Sequence, residues 1–155
     1  MTRKRSDRLA VVVRLAQLKE QRERVNFSAA REAHAQQRKL CTQLEQYLDE
    51  YQLLNAAGQT TVATLSALRN GSQFVAQLSA SIEQQQQQAA LSLARMQEAR
   101  KAWEIEMAKL DSLSSLLERS RNEENRELEH KADREAVDIW QAASTGAALR
   151  RARRG

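Results

Sequence analysis

His34, His130 and Cys41 carry the side chains that most readily hold a metal or attack a substrate, and each stands alone. Neither histidine has a second His, Cys or carboxylate at a spacing that closes a metal site, and Cys41 lacks a CxxC partner. Carboxylates are plentiful but interleaved with Arg and Lys. On exposed helix faces they are expected to titrate normally, whereas acid–base catalysis needs enclosed, perturbed groups. The sequence has no phosphate-cradling glycine loop, nucleophile elbow or HExxH motif. The expectation is a non-enzyme with no catalytic residue, no cofactor and no metal.

Recognition chemistry remains. Tyr47, Tyr51 and Phe74 supply rigid aromatic anchors of the kind that partner chains bury. Read alone, Tyr47, Tyr51 and Phe74 are first of all seam residues closing a helix pair near its bend. A two-stranded seam leaves rings partly exposed, so both roles can hold, and Trp103 reads as packing. The surplus of positive charge sits at the two ends. Arg3, Lys4, Arg5 and Arg8 stand at one, and Arg150, Arg151, Arg153 and Arg154 at the other, so with a net charge of +5 the body is nearly neutral. Phosphate binding needs cations along a face with interleaved aromatics, so nucleic acid is not an expected partner, and a small nucleic-acid-binding coiled coil is a minor alternative.

The elements that must position these groups are helical. Proline is absent, aromatics make up 4% of the chain, and Ala, Leu, Gln, Glu and Arg dominate. Four glycines, at 58, 71, 146 and 155, mark the expected breaks. Helix 1 is predicted over about 7–57, with Ser6 or Asp7 as N-cap. Its apolar face is predicted at Val11, Leu15, Leu18, Val25, Ala29, Ala33, Leu40, Leu44, Tyr47, Tyr51 and Leu54. A bend follows over 58–72, with Val62, Leu65 and Leu68 in a short helix or turn, and Asn70, Gly71 and Ser72 as a break. Helix 2 is predicted over about 73–143, facing inward with Phe74, Val75, Leu78, Ile82, Ala89, Leu93, Met96, Trp103, Met107, Leu110, Leu113, Leu117 and Leu128. The tract 84–88 reads as solvated surface, and the basic tips, 144–155 among them, read equally as solvated, disordered tails or as segments that dock to an acidic collar.

Two long amphipathic helices with a short break fold most simply as an all-α, antiparallel coiled-coil hairpin, one domain over 1–155. Asp7 is then expected near Asn122. Residues 3–8 come beside Glu118, Glu123, Glu124 and Glu127, and 123–143 overhang the start of helix 1. No run of 18 to 20 apolar residues spans a membrane, and the basic start is too short for a signal peptide, so a cytosolic protein is expected.

The stretch Leu44-Glu45-Gln46-Tyr47-Leu48-Asp49-Glu50-Tyr51, then Gly58, then Gln73-Phe74-Val75-Ala76-Gln77-Leu78 resembles the centre of the flagellar export family FliJ. Trp103, Lys109-Leu110, Leu117-Glu118-Arg119 and His130-Lys131-Ala132-Asp133-Arg134-Glu135-Ala136 extend the resemblance to about 40–140. It implies a hairpin like the rotary stalk of F-type ATPases, coupling the export ATPase ring, FliI, to the membrane export gate, FlhA, and cycling export chaperones. The ring-binding residues implied are Arg3, Lys4, Arg5, Arg8, Leu128, Val137, Ile139 and Trp140. Those implied for the gate are Leu44, Tyr47, Tyr51, Phe74, Leu78, Ser81 and Gln85. The expected state is a free monomer, not inserted in the membrane but peripheral to the cytoplasmic face of the inner membrane at the flagellar base. The corresponding stalk of a virulence type III secretion system is the alternative in the same class.

Overall fold

The computed structural model describes residues 4–57 and 65–155, and they form two helices, α1 (Arg5–Ala57) and α2 (Leu65–Arg154). The fold is the expected all-α pair of long antiparallel helices. Gly58 and Val62 of the predicted bend lie outside the described residues.

Three boundaries differ from expectation. At the start of α1, the Lys4 carbonyl accepts from the amides of Asp7 (3.1 Å) and Arg8 (3.3 Å), so the cap is Lys4, not Ser6 or Asp7. The Asn70-Gly71-Ser72 break is absent. Gly71 is helical, without positive φ, inside α2. One glycine costs a helix about 1 kcal/mol, which a long, already nucleated helix absorbs. A Cβ there would stand 3.2 Å from the Tyr51 hydroxyl, so glycine makes room for that ring. Finally, 144–154 is helical, not a disordered tail. Ala142, Ala143, Ala147 and Ala148 favour helix, and Arg151, Arg153 and Arg154 complement the negative end of its dipole.

Contacts divide the chain into two units, Met1–Gln17 with Ala108–Gly155, and Leu18–Met107. In the first, Val13, Ala16 and Leu117 are the buried apolar residues, flanked by the buried Ser6 and Ser120. Ser6 donates both its amide (3.1 Å) and its hydroxyl (2.6 Å) to the two carboxylate oxygens of Glu124. A side chain of α2 thus satisfies an unpaired amide in the first turn of α1, where the dipole also favours a negative charge. Glu124→Gln should speed hydrogen exchange at the Ser6 amide by about ten-fold while sparing amides near Val13, which amide-resolved exchange would show.

In the second unit the inward residues of α1 are Glu20, Glu23, Phe27, Ala30, His34, Gln37, Cys41, Leu44, Leu48 and Tyr51. Steps of three and four alternate strictly, the 3.5-residue repeat of a supercoiled pair. The face predicted for helix 1 is therefore corrected. Val11, Leu15, Leu18, Val25, Ala29, Ala33, Leu40, Tyr47 and Leu54 are exposed, and only Leu44 and Tyr51 of that set turn inward. The inward face of α2 follows expectation at Val75, Leu78, Ile82, Ala89, Met96, Trp103, Leu110, Leu113 and Leu117, whereas Phe74, Leu93, Met107 and Leu128 are exposed. The polar face of α1 can turn inward because Glu20, His34 and Gln37 meet Trp103, Ser92 and Gln85 on α2.

Candidate functional site

Polar layers set how α1 and α2 meet within Leu18–Met107. Glu20, 4% exposed, accepts from the Trp103 indole N–H (3.0 Å) and from Arg24 Nε (3.0 Å) and Nη2 (2.6 Å). The Trp103 ring stacks on Phe27 at 5.5 Å and 10°. The indole hydrogen bond, then that from Arg24, lowers the Glu20 pKa against the opposing effect of burial. Ser6 does the same for Glu124, through its hydroxyl first and its amide second. These two carboxylates correct the expectation of normal titration. Ser92 Oγ donates to the Ala89 carbonyl (2.8 Å) and lies 2.9 Å from His34 Nδ1, so it accepts from that nitrogen. Gln85 Nε2 donates to the Gln37 side-chain and backbone oxygens. Gln86 Nε2 donates to Glu45 Oε1 at 3.2 Å, so the glutamine tract is more than solvated surface.

Toward residues 40–54 and 71–86 the layers turn aromatic. The Tyr51 and Phe74 rings meet at 4.8 Å with a 54° tilt. Tyr47 is 57% exposed, and Phe74 and Ser81 are also exposed. Leu44, Tyr51 and Gln85 are half-buried. Leu78, at 9%, belongs to the core and offers no surface of its own. The sequence reading passed over Leu53, which is exposed on this part of α1. Nearby, burial and then the hydrogen bond to Glu45 Oε1 (3.5 Å) push the Cys41 thiol up, leaving it protonated and weakly nucleophilic at neutral pH.

In the other unit, Lys4, Arg5 and Arg8 are exposed, and Arg3 lies outside the described residues. Lys4 lines an open groove with Glu124, Glu127, Leu128 and Lys131, so the expected meeting of basic and acidic residues occurs there. Beyond Glu124, every residue of α2 from 125 to 145 is exposed, including Leu128, Val137, Ile139 and Trp140, the last at 69%. Leu128, Ala132, Ile139 and Ala143 fall on one face at helical spacing, a surface suited to a partner helix.

Among the described residues no group of three or more His, Cys, Asp or Glu could hold a metal ion. No helix of the described residues is long and apolar enough to cross a membrane. What the geometry offers is exposed aliphatic and aromatic side chains on rigid helices. The sequence reading missed the Glu20–Trp103 layer. Its signal was a tryptophan assigned to packing without the acceptor its N–H needs. A family model described as "Flagellar FliJ protein" matches residues 5–138. No curated protein and no solved structure matches the chain.

Proposed function

Since the chain belongs to the flagellar FliJ protein family and is thereby a component of flagellar type III export, we propose that it is a non-enzymatic stalk and adaptor there. It couples the export ATPase ring, FliI, to the export gate, FlhA, and escorts export chaperones, working as a peripheral protein at the cytoplasmic face of the inner membrane. The observation that carries this reading is that each unit bears one partner-ready surface. Around Tyr47 and Phe74 rigid aromatics stand exposed, and beyond Glu124 a long stretch of α2 has every side chain open. The aromatic surface is assigned to the gate, with Leu44, Tyr51, Ser81 and Gln85 around it and Leu78 beneath. The terminal surface is assigned to the ring, through Arg3, Lys4, Arg5, Arg8, Leu128, Val137, Ile139 and Trp140.

The test is a binding assay with purified export ATPase and the cytosolic part of the gate. Tyr47→Ala with Phe74→Ala is expected to weaken gate binding at least ten-fold, as truncation of aromatic anchors does, while helicity by circular dichroism stays unchanged. Unaltered gate affinity would remove the aromatic surface from the proposal.

A further inference from the structure

The last turns of α2 carry a charge that neither partner-ready surface uses. Beyond Asp138 the chain has no Asp or Glu, yet Arg150, Arg151, Arg153 and Arg154 crowd into 150–154. The family match ends at residue 138, so these arginines lie outside it. All four are exposed, and among the described residues none meets a carboxylate. Arg150 Nε donates to the Gly146 carbonyl at 3.3 Å, which leaves its terminal nitrogens to an outside acceptor.

The segment has two faces. At about 100° per residue, Arg153, Arg150, Arg154 and Arg151 fan over about 160° of the helix. Ala142, Thr145, Ala148, Leu149 and Ala152 fill the opposite side, where no charged residue of 142–154 falls. Leu149, its largest group, is 62% exposed. Arg151 and Arg153 stand where the faces meet and flank the uncharged side. This arrangement discriminates among anionic partners. Nucleic acid or an acidic protein would engage the guanidinium side and leave Leu149 in water. A phospholipid surface engages both sides, because alanine and leucine settle at the acyl boundary while arginine stems snorkel outward to the phosphates. Guanidinium forks also grip phosphate oxygens two at a time.

We infer that residues 142–154 of α2 lie on the surface of an anionic phospholipid bilayer, with Leu149 inward and the four arginines among the headgroup phosphates. The inference deepens the peripheral placement proposed above and rests on it, giving the chain a hold on the membrane of its own besides that of its partners. Each arginine close to such a surface strengthens binding about five-fold, and four together about several hundred-fold.

Flotation of the full chain with phosphatidylcholine vesicles carrying about 30 mol% phosphatidylglycerol should recover it with the lipid, and pure phosphatidylcholine should not. Raising NaCl from about 0.05 to about 0.5 M should release it. Glutamine at all four arginines should weaken binding about a hundred-fold and Leu149→Glu about ten-fold, whereas lysine at all four should hold it within about five-fold. Equal recovery with neutral vesicles, or four glutamines that leave flotation unchanged, overturns the proposal. An equal loss on placing glutamine at Arg3, Lys4, Arg5 and Arg8 would reduce the binding to net charge and also overturn it. So would tighter binding of a duplex oligonucleotide than of vesicles through the same arginines, which would give them to nucleic acid. A native chain that never floats, with ring binding lost in the glutamine variant, would give them to an acidic protein. The vesicles hold no export protein, so this result and those of the ring and gate assays can fail separately.

Discussion

Trp103→Ala is expected to destabilise the chain by about 3 kcal/mol, the scale of removing a large aromatic from a packed site, as read by urea denaturation followed by circular dichroism. The substitution removes the stack on Phe27 and strips the buried Glu20 carboxylate of its indole donor. Trp103→Phe separates the two, since it keeps a ring and loses the N–H. The second loss depends on pH. Glu20 has a lowered pKa in the folded chain, so its contribution is fully present above the unfolded-state value of about 4.3 and disappears as pH falls through the folded-state value. Glu124 acts with the same sign. The native chain should therefore lose stability on acidification below about pH 4.5, and Trp103→Phe should lose less over the same interval. A gap between the two proteins that stays constant from pH 7 to pH 3 would show that the indole bond does not hold the carboxylate ionised.

Removing 132–155 is expected to abolish stimulation of the export ATPase while shifting the thermal midpoint by no more than a few degrees. Through residue 145 every side chain lost is exposed, so no core contact goes with it. Stimulation and stability should part completely in this variant. Full stimulation by the shortened chain would detach the terminal surface from the ring.

The helical fold and antiparallel pairing were legible because they follow from composition: no proline, few aromatics and two long periodic segments. Most of the inward face of α2 was legible for a similar reason, since Val75, Leu78, Ile82, Met96, Trp103, Leu110, Leu113 and Leu117 fall on its 3.5-residue repeat, whereas Phe74, Leu93, Met107 and Leu128 fall off it. On α1 the apolar residues and the repeat do not coincide. The most apolar residues, Leu18, Val25, Leu40 and Tyr47, follow a spacing nearer to the 3.6 of a straight helix, while the residues that meet α2 repeat every 3.5. The two tracks drift together over about 44–51, which is why Leu44 and Tyr51 alone were placed correctly. Hydrophobicity pointed to the wrong track because Glu20, His34 and Gln37 read as surface until Trp103, Ser92 and Gln85 are seen opposite them. Of the residues proposed for the gate, Leu78 shows the same limit from the other side. Its apolar character is equally that of a core residue and of an anchor, and only burial separates the two.

Polar cross-links between α1 and α2 bear on the register in which the two helices meet. Sliding one helix past its mate by two turns would leave an Ala- and Leu-lined joint nearly as content as before, because aliphatic knobs are interchangeable. Glu20 would then stand without Trp103, and Gln37 without Gln85, as though a key had left its slot. The pair is thereby indexed to a single notch.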